Sequence, residues 1–228
     1  MPEYPDFITE RQYLDYQQRW VNLIKEGDPT KLQAAFALPG VERITFLTFS
    51  LDQIAALVTT PGAQSIKARF LLMPDGRFSL TLFASDGVAD TNDKCLSKYY
   101  IPTPAAATTA PQVEPSAGPD THILRSEAVT RLTAWLADEL TAEIFTTDFG
   151  PLTGCNFTVS AFQDPLAAAW PYADKSLFLN LGAVPDPEPT SSLFVYIAPL
   201  SSRRQGSTEG LPDDGGYYND AKLCPPNH

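Results

Sequence analysis

The sequence predicts an α+β protein made of two similar units, each reading helix, strand, helix, strand, strand, with antiparallel sheets covered by helices. Three observations lead there. Thr48, Ser50, Gln53, Pro61, Ala63 and Leu71 recur as Thr158, Ser160, Gln163, Pro171, Ala173 and Leu181, all at one spacing of 110 residues. A long stretch of helical spacing carrying a tryptophan, Trp20 or Trp135, precedes each passage. Two strand-like runs follow each passage. A repeat of this length, in this order, points to an internal duplication.

Each element has a local reason. Thr9-x-x-Gln12 is a capping-box pattern. Tyr13, Tyr16, Trp20, Leu23 and Ile24 then recur at helical spacing up to Gly27-Asp28-Pro29, which predicts a helix over 9–26. A short helical piece is expected over Lys31–Ala37, before Pro39-Gly40. Arg43–Phe49 is β-branched and aromatic, so it reads as a strand. Ser50-x-x-Gln53 opens a short helix through Ile54, Leu57 and Val58 that Pro61-Gly62 stops. Ile66, Ala68, Phe70 and Leu72 alternate onto one face, and Phe78–Leu82 alternates after them. Pro74-Asp75-Gly76 between the runs supplies a preset φ and a residue tolerant of positive φ, so the pair is a β-hairpin.

Residues 84–121 change character. Ala105–Ala110 holds only Ala and Thr, and Pro102, Pro104, Pro111, Pro115 and Pro119 interrupt any ladder, as expected of a linker or long loop. A second long helix is expected over 124–144, with Val129, Leu132, Leu136, Leu140 and Ile144 as its apolar stripe and Trp135 beside it. Gly150-Pro151 and Gly154 break it off, and Asn156–Val159 reads as a strand. Ser160-x-x-Gln163 is expected to cap a helix that ends at Trp170-Pro171. Ser176–Leu181 and Leu193–Ala198 read as strands joined by Val184-Pro185-Asp186-Pro187-Glu188-Pro189. The expected division is a first unit over 1–100, a Pro/Ala/Thr-rich linker over 101–121, a second unit over 122–200 and a flexible tail over 201–228. The two sheets are expected to join edge to edge.

Composition narrows the function. Apolar residues at 43% and charged residues at 19% read as globular. A net charge of −11 argues against nucleic acid and anionic membrane surfaces as partners and favours a basic protein partner, or simple solubility. No apolar run approaches the ~20 residues a membrane span needs. Met1–Asp6 lacks the basic and apolar regions of a secretory signal. Three dispersed cysteines, Cys95, Cys155 and Cys224, are not a disulfide framework, although a Cys95–Cys224 pair is open. The expectation is a cytoplasmic protein with free thiols, in which the glycosylation pattern at Asn156-Phe157-Thr158 has no meaning.

Candidate sites are weighed against plainer roles. Asp86, Asp90, Asn92 and Asp93 form an oxygen-rich loop of the kind calcium takes, but the spacing is not an EF-hand's and Lys94 and Lys98 oppose a cation. A solvated loop is the plainer reading, and no metal site or cofactor is expected. Asp213-Asp214-Gly215-Gly216 lacks the Lys and Ser/Thr of a phosphate loop. Cys155 is the best-placed thiol, yet the only histidines are His122 and His228, so a cysteine–base pair has little to build on. Asp138-Glu139 reads as a solvated helix face. Tyr217 and Tyr218, in the tail, are candidate partner-binding anchors, the alternative being that they fold back onto their own domain.

These features lean away from an enzyme. They favour an acidic protein-binding module of inhibitor or immunity type. The alternatives are a hydrolase with its site in a cleft between the units and a self-assembling structural protein.

Overall fold

The computed structural model describes residues 6–38, 40, 43–87, 94–102, 122–123, 125–137, 139–169, 175–184, 190–199, 217–218 and 222–224. The linker from 103 to 121, the calcium candidates Asp90, Asn92 and Asp93, the Asp213–Gly216 cluster, Asp138 and His228 lie outside them. Among the described residues, five α-helices and antiparallel sheets make a mixed α+β fold. No described helix is long and apolar enough to cross a membrane.

In chain order the first half contains β1 (Phe7–Ile8), α1 (Glu10–Glu26), α2 (Pro29–Phe36), β2 (Phe46–Ser50), α3 (Leu51–Val58), β3 (Ser65–Leu72), β4 (Phe78–Ser85) and β5 (Tyr99–Tyr100). The second contains β6 (His122–Ile123), α4 (Arg125–Ala137), a 3-10 turn (Ala142–Phe145), β7 (Thr146–Thr147), β8 (Gly150–Pro151), β9 (Gly154–Thr158), α5 (Ser160–Ala168), β10 (Lys175–Val184), β11 (Thr190–Pro199), β12 (Tyr217–Tyr218) and β13 (Lys222–Cys224).

The helix starts follow their codes in the first half. Thr9 accepts from the Gln12 amide while the Gln12 side chain accepts from the Thr9 amide, and Ser50 and Gln53 do the same. Asp28 caps α2, with Pro29 at its first position. The second half departs from its codes. Ser160 does not cap α5: Val159 is already helical (φ −60, ψ −35), which puts Ser160 inside the first turn, where its hydroxyl lies 2.8 Å from that of Thr158. The helix predicted over 124–144 is α4 alone, ending at Ala137, because Thr141 is extended (φ −108, ψ 160) and only a 3-10 turn follows. Its buried face is Ala128, Leu132 and Trp135, whereas Val129 and Leu136 are partly exposed. Leu140, in irregular backbone, and Ile144, in the 3-10 turn, are also buried, which is why the spacing resembled one continuous stripe.

Two main sheets result, with strand orders β1-β5-β4-β3-β9-β13 and β2-β10-β11-β12-β6, beside the small β7–β8 hairpin. The halves do not meet edge to edge. They exchange strands: β2 pairs antiparallel with β10 (Ser50 opposite Ser176, Phe46 opposite Asn180), and β9 pairs antiparallel with β3 (Thr158 opposite Ser65, Gly154 opposite Arg69). Parts of the tail expected to be flexible are strands, since β12 lies between β11 and β6 and β13 edges β9.

The contacts around the exchange match between halves. α1 packs on β3 and α4 on β10, while α3 and α5 pack on each other. The Thr153 carbonyl accepts from the Phe70 amide, and the Thr45 carbonyl from the Leu181 amide, each at 2.9 Å. At the centre, Phe36 and Phe145 stack 5.6 Å apart at 9°, and each meets the other half's tryptophan edge-on at 5.1 Å (Trp135 on Phe36, Trp20 on Phe145). One continuous apolar core takes residues from both halves.

Gly154 marks the tightest backbone approach. Its φ of +147 suits glycine, and a Cβ there would collide with the Ala68 carbonyl oxygen and fall 2.9 Å from Arg69 Cα. The residue expected to interrupt structure instead begins β9.

Candidate functional site

The hairpin's alternation leads one to expect a polar, solvated second face on β3. Instead Lys67 and Arg69 are buried, at 1% and 6% exposure, together with Ser65, Thr81, Ser85 and Asn156. Pairing places Lys67 beside Asn156 and Phe83, and Arg69 beside Gly154 and Thr81. Because position 154 lacks a side chain, the guanidinium can lie along the β9 backbone. Its Nη1 donates to the carbonyls of Cys155 (3.0 Å) and Ala68 (3.2 Å), and its Nη2 donates to Asn156 Oδ1 (2.9 Å). It also sits 5.9 Å from the Phe83 ring centroid. Asn156 therefore spends its side chain inside the sheet, where a glycan has no room. This polar layer was invisible in the sequence because a charged residue in an alternating strand ordinarily marks the wet face.

Next to it lies an aromatic group from three elements. Tyr13 of α1 stacks on Tyr99 of β5 at 4.6 Å, and Phe83 of β4 meets both rings. Cys95, which bridges to Ser85, donates its thiol to the Ser97 carbonyl at 3.1 Å. Burial pushes the Cys95 thiol above its ordinary range, against the opposing pull of its bonds to Tyr99 and Ser97. Burial and the bond to Cys95 raise the Tyr99 phenol well above its own. Both groups are protonated at neutral pH, which suits packing rather than nucleophilic attack.

The cysteines do not pair across the sheet. Cys95 and Cys155 are free thiols, and Cys155 is buried in the core. Cys224 is paired with Gly154 on the far side of β9, so β4, β3 and β9 separate it from Cys95. At about 4.8 Å per strand, that distance is far beyond disulfide reach.

Of the calcium candidates, Asp86 is exposed and its carboxylate accepts the Lys94 amide at 2.7 Å, closing the base of the loop. Among the described residues no group of His, Cys, Asp or Glu could hold a metal ion. Glu139 is exposed. The backbone of His122 and Tyr218 forms one register pair, and Tyr217 is opposite Ile123, so both candidate tyrosines belong to a sheet of their own chain.

A shallow groove runs between α1, α2 and the β3–β4 turn. It is lined by Arg19, Glu26, Lys31, Asp75 and Arg77, among others. Its cations are already matched: Arg19 with Asp15 at 3.0 Å, Arg77 with Asp75 at 2.5 Å, and Lys31 with Glu26. Bonding to Glu26 raises the Lys31 amine above its ordinary value.

Ser85, Ser65 and Thr158 form a row across β4, β3 and β9, and Asp86 follows Ser85 directly. β13 runs antiparallel to β9 with Lys222 opposite Asn156. Comparison with family models finds no match to the chain, and comparisons with curated proteins and with solved structures find none either.

Proposed function

We propose that the chain is a non-enzymatic, acidic protein-binding module of inhibitor or immunity type, built by internal duplication with β2 and β9 exchanged between the copies. The observation that carries the binding reading is the net charge of −11, with the exposed Asp86 directly after Ser85 at one end of the six-stranded sheet. Such a surface steers a basic partner and rejects an acidic one. The matched tryptophan, phenylalanine and backbone contacts support the duplication. Free Cys95 and Cys155 accord with a reducing compartment, so the reading sets the protein in the cytoplasm.

The test is capture of a basic partner by immobilised full-length protein, compared with a D86N/D213N/D214N variant. Retention should fall at least about tenfold in the variant, and again between 50 and 500 mM salt. Capture that is indifferent to both changes would sink the reading.

A further inference from the structure

Each half of the chain gives up one strand and receives one. From the first half, β1, β5, β4 and β3 lie together in the six-stranded sheet, while β2 crosses to the edge of the other sheet, against β10. From the second half, β10, β11, β12 and β6 lie together, while β9 crosses to β3. The exchange is reciprocal and equal in length: all five residues of β2 pair with β10, and all five of β9 pair with β3. Side chains bond across it in both directions. Arg69 donates to the Cys155 carbonyl and to Asn156, and Arg43 donates to the Trp135 carbonyl. Phe36 stacks on Phe145, α3 packs on α5, and one apolar core runs through both halves. The backbone joins the two halves only through residues 101–121.

We propose that the surface between the halves also recognises a second copy of this chain, and that two copies assemble by trading halves. The first half of one copy takes β9 from the other copy and lays its own β2 on that copy's β10, and the remaining two halves do the same. Every contact between the halves survives the trade, because none depends on which chain supplies β2 or β9. Reciprocity lets the assembly close at two copies with neither exchanged edge left open. Entropy separates the two forms. Within one copy, a connection of this length holds the halves together at an effective concentration of roughly millimolar. The monomer therefore prevails well below that concentration, and the exchanged dimer gains as the protein approaches it. The trade is made during folding, since a folded copy releases neither strand without opening the shared core. The acidic surface takes no part in it.

The experiment uses two full-length variants with lesions in opposite halves. Phe70→Asp puts a carboxylate into β3, which receives β9, and Leu179→Asp puts one into β10, which receives β2; both positions are buried. Each variant alone should lose its cooperative thermal transition. Unfolded and refolded together they should regain one, in a species of twice the chain mass that holds both variants, because the sound first half of L179D meets the sound second half of F70D. A mixture that regains no transition overturns the proposal, and so does a transition regained without both variants in one species. If either variant folds alone, wild type decides. Its dimer fraction after refolding, read by light scattering, should rise at least about tenfold between about 10 µM and about 1 mM, and that dimer should persist on dilution because reversal requires unfolding. Wild type that stays monomeric throughout, or a dimer that forms on simple concentration and vanishes on dilution, overturns the proposal.

Discussion

Trp20 and Trp135 make the same hydrogen bond from opposite halves of the chain: each indole Nε1 donates at 2.8 Å to a backbone carbonyl two residues ahead of the exchanged strand, Leu152 before β9 and Ile44 before β2. Each tryptophan thus secures the strand that arrives from the other half. Replacing either by Phe keeps an aromatic ring but strands a buried carbonyl, at a cost of about 1–3 kcal/mol. Replacement by Ala adds a cavity and should cost about 3–5 kcal/mol. Urea unfolding should give similar losses for the two sites. The double variant should be non-additive, because both rings touch Phe36 and Phe145.

Gly154→Ala should be severe and Gly76→Ala mild. At Gly76 φ is +82 and nothing lies within 4 Å of an added Cβ, so the cost is that of a left-handed backbone alone, about 1 kcal/mol. At Gly154 the methyl meets the β3 backbone, which cannot move without opening the β3–β9 ladder. A loss of about 4 kcal/mol or more is expected. Comparable denaturation midpoints for the two variants would contradict this account of β9.

The two glutamines of the recurring passage should behave differently. Gln53 completes a capping box and its Nε2 donates to the Asp6 and Ile101 carbonyls, both at 3.1 Å. Gln163 is exposed. Gln53→Ala should cost about 1–3 kcal/mol, and Gln163→Ala should stay within about 0.5 kcal/mol of wild type. Equal shifts in Tm would show that the passage does the same work in both halves.

Stability should fall in alkali. Cys95 and Tyr99 both have pKa values raised in the folded state, chiefly by burial. Each therefore stabilises the fold fully below its unfolded pKa. Above that pKa the unfolded chain sheds the proton first, and the contribution is lost as pH rises toward the folded pKa. Urea midpoints should be level from pH 7 to about 8 and decline from about pH 9 upward, in the ordinary thiol and phenol ranges. Cys95→Ser should remove the earlier part of the decline. A midpoint that rises above pH 9 would overturn the assignment.

Elements with a strong local code were legible in the sequence. Thr9–Gln12 and Ser50–Gln53 start helices where expected, and the Gly76 amide closes the turn onto the Met73 carbonyl at 2.9 Å. The same Ser-x-x-Gln pattern misled at Ser160, because a cap depends on the backbone before it, and Val159 had already turned helical. Strands of two residues, such as β1 and β5, are too short to show a period. The exchange of β2 and β9 leaves no local trace, since β-branched and aromatic residues specify a strand but not its partner. Tyr217 and Tyr218 stood out as aromatics, but only the fold puts their backbone between β11 and β6.

The crossing of β2 and β9 also bears on the order of events during synthesis. When Tyr100 has been made, the β3–β4 hairpin exists but its neighbour on the inner side has not yet been translated. At about 5–20 residues per second, the ribosome needs roughly 3–10 s more to reach Gly154. Throughout that interval the nascent chain carries an open hairpin edge, with Lys67 and Arg69 lacking Asn156 and the Cys155 carbonyl. Each main sheet lacks a strand until both halves have been made, so a chain stopped between them presents an open strand edge of the kind that pairs with other chains.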